Sequence, residues 1–229
     1  MELNFLGSLL HLADPTLPIG GYSHSNGLET YVQEGIVCSA DTARLYVTNM
    51  LTYNLKYNDA AMMKLAYEAA AQNDIAALVK LDQECTALKS PMEIRQASQK
   101  LGLRLIKIFR RQRVFPLVTL YEKAIAEKTA DAHYCIAFGI YAQLLGLPLP
   151  EALFAFYFNA AVGMITNSVK LIPLGQLDGQ DILFELQPLL KQLVVESQSV
   201  DRSLVGLCSI AFDIRCMQHE RLYSRLYKS

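Results

Sequence analysis

The stretch over residues 12–29, L-A-D-P-T-L-P-I-G-G-Y-S-H-S-N-G-L-E, constrains the fold more than any other part of this 229-residue chain. Pro15 and Pro18 fix φ and each removes a backbone donor. Gly20, Gly21 and Gly27 accept backbone angles that other residues resist. A helix or strand interior does not carry that composition, so the segment reads as a shaped loop feeding a helix. Ser23 or Ser25 stands where it could cap that helix. The expected N-terminal loop covers residues 1–22.

Helical periodicity dominates the rest of the chain. Over residues 40–56, Ala43, Val47, Met50, Leu51 and Leu55 share one face. Residues 59–71 are rich in the strong helix formers alanine and methionine, and the period resumes over 75–88 after Asn73-Asp74. Pro91 precedes a helix over 92–111 whose stripe is Ile94, Ala97, Leu101, Leu105 and Ile108. Phe115-Pro116 opens another to about residue 128, and 130–145 ends at Gly146, suited to a helix C-terminus. Pro188 marks a kink or boundary inside 178–197. Residues 204–222 form the last helix, and 223–229 a tail. Alternating strand patterns are scarce, so the expectation is one all-α domain spanning 1–229, a bundle of about ten helices.

Residues 152–169 carry no charge over eighteen positions, close to the ~20 that a membrane span needs. Asn159, Gly163, Thr166, Asn167 and Ser168 interrupt the stretch, and it reads as buried helix, with no membrane association expected. The net charge of −1 gives no global bias toward nucleic acid. Eight of the 21 basic residues, Lys89, Arg95, Lys100, Arg104, Lys107, Arg110, Arg111 and Arg113, crowd one region. They lie opposite the stripe of the 92–111 helix, lack interleaved aromatics, and read as a solvated face. The five cysteines are widely spaced without a C-x-x-C, which disfavours a disulfide framework and suits a reducing cytoplasm. The first residues lack the basic region of a secretory signal.

Enzymatic signatures are missing: the sequence has no G-x-x-x-x-G-K-[ST], G-x-G-x-x-G after a strand, H-E-x-x-H or G-x-S-x-G. Two constellations remain. His24, with Asp14 and Glu29 near it in sequence, could serve acid–base work, or could satisfy backbone groups that the loop leaves unpaired. Cys216 and His219 form a soft donor pair that suits a storage or sensing site for a metal such as zinc or nickel, but two ligands are fewer than a closed site needs. Tyr223, Arg225, Leu226 and Tyr227 are typical interface anchors and poor choices for a free tail.

At these residues the chain resembles the urease accessory protein F family. The likeness runs through L-x-L-A-D-x-x-L-P-I-G-G-Y-S-H-S-x-G-L-E at 10–29, with Pro18, Gly20, Gly21, His24, Gly27 and Glu29 as its structural motif. It continues through E-I-R-x-A-S-x-x-L-G at 93–102, His133 with Phe138-Gly139, Leu145-Gly146-Leu147, K-L-I-P-L-G-Q at 170–176 and D-I-R-C-M-Q-H-E-R-L-Y-S-R-L-Y-K-S at 213–229. The resemblance implies an all-α, homodimeric, non-enzymatic urease maturation factor without a stably bound cofactor. Such a protein bridges accessory protein D/H to the GTP-binding accessory protein G while nickel, handled transiently, passes to apo-urease. It further implies that His219, Tyr223, Arg225, Leu226 and Tyr227 dock on the D/H partner, and that Lys170 lies on the surface that receives the GTPase.

Overall fold

The computed structural model describes residues 4–21, 24–25, 27–223 and 225–226. Twelve α-helices account for most of them, and no strand occurs among the described residues. The expected all-α fold is therefore observed, with slightly more helices than anticipated.

Two helices form the centre. α4 (Asp59–Ala71) and α8 (Tyr134–Leu144) pack face to face. Every residue of α8 from Cys135 to Ala142 is buried, as expected of a helix that is apolar all round. Gly139 makes the crossing possible, because a Cβ there would sit 2.3 Å from the Met63 carbonyl oxygen on α4. α6 (Met92–Arg110) covers another side of α8, and α5 (Ile75–Leu88) lies along α4. α9 (Leu149–Leu171) runs across the bundle and carries α10 (Gln176–Glu185) and α11 (Gln187–Ser197). Pro188 sits at the start of α11, so it marks a helix boundary. α7 (Pro116–Ala126) packs on α5.

α9 is the one helix, among the described residues, long and apolar enough to cross a membrane by composition. Half of its most apolar window is buried against the bundle, and Asn167 and Ser168 are buried within it.

A buried carboxylate ties the middle of the chain together. Asp82 on α5 is fully buried and accepts from the Tyr121 hydroxyl at 2.8 Å and the His133 amide at 2.9 Å. It also accepts from the Asp131 amide. His133, also buried, places Nδ1 3.0 Å from Ser98 Oγ and Nε2 2.8 Å from Thr86 Oγ1. These bonds hold the turn before α8 against α5 and α6, which satisfies groups that would otherwise be costly to bury.

Several boundaries differ from the sequence reading. The expected loop over 1–22 contains α1 (Leu6–Leu12), whose Leu12 is buried in the core. The 40–56 helix is α3 (Ala40–Asn49) running into a π-helical turn over Met50–Leu55. The last helix, α12, begins at Ile210. Before it lie a 3₁₀ turn over Arg202–Leu204 and a left-handed Gly206 packed on Leu88. The basic region is only partly a solvated face. Lys89 is largely buried and paired with Asp59 at 2.8 Å. Arg95 donates to the Lys89 carbonyl, and Arg104 donates to the Ile19 carbonyl at 3.0 Å, so part of the charge anchors loops.

Candidate functional site

The Pro/Gly loop and the C-terminal segment meet at one place. α2 (Leu28–Gln33) starts from Gly27, which holds φ at 78°. No side chain caps this helix, so Ser25 is not its cap; Ser23 lies outside the described residues. The turn closes through the backbone instead, with the Leu28 amide donating to the Ser25 carbonyl and the Thr30 amide to Gly27. Gly27 is required for a second reason: a Cβ there would lie 2.7 Å from Cys216 Sγ on α12. Gly20, at φ 85°, likewise leaves room for the Arg104 guanidinium that holds the loop. Gly21 sits beside Leu101, and Pro18 is exposed at the loop's outer turn.

α2 and α12 (Ile210–His219) pack together. The Thr30 hydroxyl donates to the Arg215 carbonyl at 3.0 Å, and the Arg215 guanidinium pairs with Glu34 and lies over the Tyr31 ring. At the end of α12, His219 is 1 % exposed and stands between two carboxylates. Nδ1 is 2.7 Å from Glu93 Oε2 on α6, and Nε2 is 3.1 Å from Glu29 Oε2 on α2. The remaining oxygens of the same carboxylates take the tail: Glu29 Oε1 accepts from the Leu226 amide at 2.6 Å, and Glu93 Oε1 from Arg225 at 2.7 Å. Two acidic residues thus clamp a histidine together with Arg225 and Leu226.

The clamp brings Glu29, Gly27 and His219 together with Arg225 and Leu226. His219 is buried, so it holds the tail in place and does not itself offer surface. Tyr223 is fully exposed and Leu226 is 67 % exposed; Tyr227 lies outside the described residues. His24 is seated through its backbone, its carbonyl accepting from Asn167 Nδ2 at 2.8 Å. Both oxygens of Glu29 meet groups of the C-terminal segment. Lys170 is exposed on the last turn of α9 and takes no part in the clamp's hydrogen bonds.

The Cys216/His219 pair is poorly suited to a metal. Burial, and then the carboxylates of Asp213, Glu93 and Glu220, push the Cys216 thiol up, away from the thiolate that would ligate. Both ring nitrogens of His219 already face carboxylates. Among the described residues, no group of three or more His, Cys, Asp and Glu side chains is arranged to hold a metal ion. Sequence reasoning missed Glu93 as the second jaw of the clamp. It also missed Arg104 and Asn167 as the loop's supports.

Comparison with known proteins resolves the family. The UreF family model matches residues 37–187. The chain belongs to the UreF family of urease accessory proteins. It is 51 % identical over 224 residues to "Urease accessory protein UreF" of Actinobacillus pleuropneumoniae serotype 3 (strain JL03), covering 98 % of this chain and 99 % of that one. It is 52 % identical over 228 residues to the Haemophilus influenzae (strain PittGG) protein of the same name, covering 100 % of this chain and 97 % of the other. A Bacillus sp. (strain TB-90) relative is 35 % identical over 227 residues, covering 99 % and 100 %. The Haemophilus influenzae likeness, at 100 % of this chain, takes in the N-terminal loop and the C-terminal segment, which lie outside the family-model match. UreF membership gives the chain a role in urease maturation.

Proposed function

We propose that this UreF-family chain acts without catalysis of its own, as a cytoplasmic adaptor in urease maturation. It would join the D/H accessory protein to the GTP-binding accessory protein G while nickel passes to apo-urease. The observation that carries this reading is the clamp. Glu29 and Glu93, braced by His219, hold Leu226 and Arg225, and Tyr223 and Leu226 are exposed beside them. Aromatic and apolar residues exposed on a fixed backbone bind with little ordering cost. The D/H protein is the proposed occupant of that surface. Lys170, exposed at the end of α9, is proposed to contribute to the surface that receives the GTPase.

A homodimer is part of the same reading. Leu177 and Phe184 lie seven residues apart on α10 and are 78 % and 81 % exposed. Two large apolar side chains on one helical face are the kind of patch that self-association covers.

Co-expression with the two accessory proteins, followed by size-exclusion chromatography with mass measurement, tests the adaptor reading. A ternary complex is expected. The Tyr223→Ala/Leu226→Ala double variant should keep its helical circular dichroism and lose capture of the D/H protein. Undiminished capture by that variant would overturn the docking assignment.

A further inference from the structure

Five cysteines are present, and two of them are neighbours in space. Cys85 on α5 and Cys135 on α8 stand 50 positions apart in sequence, and their sulfurs are 3.6 Å apart, both buried. We propose that Cys85 and Cys135 are a redox-responsive dithiol, oxidised by a small hydroperoxide to a disulfide that joins α5 to α8.

The surroundings favour this pair over the other three cysteines. A sulfur–sulfur contact of 3.6 Å needs an approach of roughly 1.5 Å to reach the ~2.05 Å bond. The Lys89 ammonium, itself held by Asp59 at 2.8 and 2.9 Å, supplies positive charge beside them. The hydrogen bond from Cys135 lowers the Cys85 thiol, and the charge on Lys89 and the His133 side chain add to this against the opposing effect of burial. The same bond, burial and the charge on Cys85 raise Cys135. These effects favour the thiolate on Cys85 and the thiol on Cys135, which is the division between attacking and resolving cysteines. Cys38 and Cys208 are exposed, with no second thiol beside either among the described residues, and burial beside acidic groups pushes Cys216 up.

A route for a small oxidant is also present. A cavity of about 440 Å³ is walled in part by Asp59, Leu88, Lys89 and Tyr134. Tyr134 precedes Cys135 in the chain, Leu88 and Lys89 follow Cys85 on α5 and at its end, and Asp59 pairs with Lys89, so the cavity is walled by residues next to the pair in the chain or bound to Lys89. The Cys85 thiolate attacks the distal oxygen of ROOH. The O–O bond breaks, ROH leaves after protonation, and Cys85 becomes a sulfenic acid. Cys135 then attacks the sulfenic sulfur, its proton leaves with the departing hydroxyl as water, and the S–S bond forms. In sum, two thiols and ROOH give a disulfide, ROH and water; the thiols lose two electrons and the peroxide gains them.

The test uses the full chain, reduced and then exposed to a modest excess of hydrogen peroxide. It is next denatured, alkylated and mapped by mass spectrometry with and without dithiothreitol. Expected are a chain lighter by two hydrogens, a cross-linked peptide pair containing Cys85 and Cys135, and its disappearance on reduction. In Cys135→Ser, dimedone should trap a sulfenic acid at Cys85. In Lys89→Gln, disulfide formation should slow several-fold. Cys85 and Cys135 both remaining open to alkylation, while Cys38 and Cys208 oxidise, would overturn the proposal. The measurement on the unaltered chain decides it even if a variant fails to fold.

Discussion

Gly27 holds φ at 78°, and the space a side chain would need there is filled by Cys216 Sγ. Gly27→Ala therefore combines a left-handed backbone strain with a steric clash, and should cost about 1–3 kcal/mol in urea unfolding. Gly163→Ala is the matched control. It lies inside α9 with nothing within 4 Å of the added methyl, so it should stabilise by about 0.5–1 kcal/mol through helix propensity. Equal losses at both positions would contradict the packing described at Gly27. Glu29 faces a different penalty. Its removal takes the carboxylate from the buried His219 Nε2, which keeps the 3.5 Å contact to Ser25 Oγ, and takes the acceptor from the Leu226 amide. Glu29→Ala should cost about 1–3 kcal/mol, the usual range when buried polar groups lose a hydrogen-bond partner. Limited proteolysis should then cut sooner at Arg221 and Arg225.

The α4–α8 crossing depends on the absence of a side chain at Gly139, where a methyl would meet the Met63 carbonyl oxygen and backbone cannot rotate aside. Gly139→Ala should destabilise by roughly 1–3 kcal/mol, with a still larger loss for leucine. An unchanged melting temperature would refute the close approach. The helices that form this core are legible in the sequence because a 3.6-residue period records which face is buried. α6 and α7 begin where Pro91 and Pro116 indicate, and α11 begins at Pro188. The period does not record interruptions that keep the chain turning the same way. The π-helical turn at Met50–Leu55 and the 3₁₀ turn at Arg202–Leu204 accordingly look like continuous helix in the sequence. α1 is hidden for another reason: at seven residues it is held by burying Leu12, not by its own propensity. The loop over 12–29 is recognisable from its prolines and glycines, but its partner is not. Glu29 and His219 lie 190 positions apart, and no local pattern encodes a contact at that separation. Glu93 is invisible as a clamp residue because, taken alone, it is an ordinary acidic residue in the first turn of a helix.

The molecule as a whole buries an unusual set of groups that must stay protonated. Burial raises the phenols of Tyr46, Tyr121, Tyr134, Tyr141 and Tyr157 above the ordinary tyrosine range, with the Asp82 carboxylate adding to the effect at Tyr121. For Lys89, burial works against the charge, but pairing with Asp59 prevails and the ammonium is held above its usual value. In each case the folded chain binds its proton more tightly than the unfolded chain does. The stabilisation is complete below the unfolded values, about 10 for both tyrosine and lysine, and is lost as pH rises from there toward the folded values. These groups accordingly add no pH dependence through neutrality, and stability should fall steeply above pH ~10. The chain contains 12 tyrosines and no tryptophan, so near-ultraviolet absorbance reports phenolate formation without interference. The phenolate rise of the buried tyrosines and the loss of helical circular dichroism should therefore coincide in one cooperative step. Lys89→Gln should move that step to lower pH because Asp59 loses its partner. If all the tyrosines ionised while the helical signal stayed intact, their phenols would have to be open to solvent in the folded chain, which the burial of Tyr46, Tyr121, Tyr141 and Tyr157 forbids.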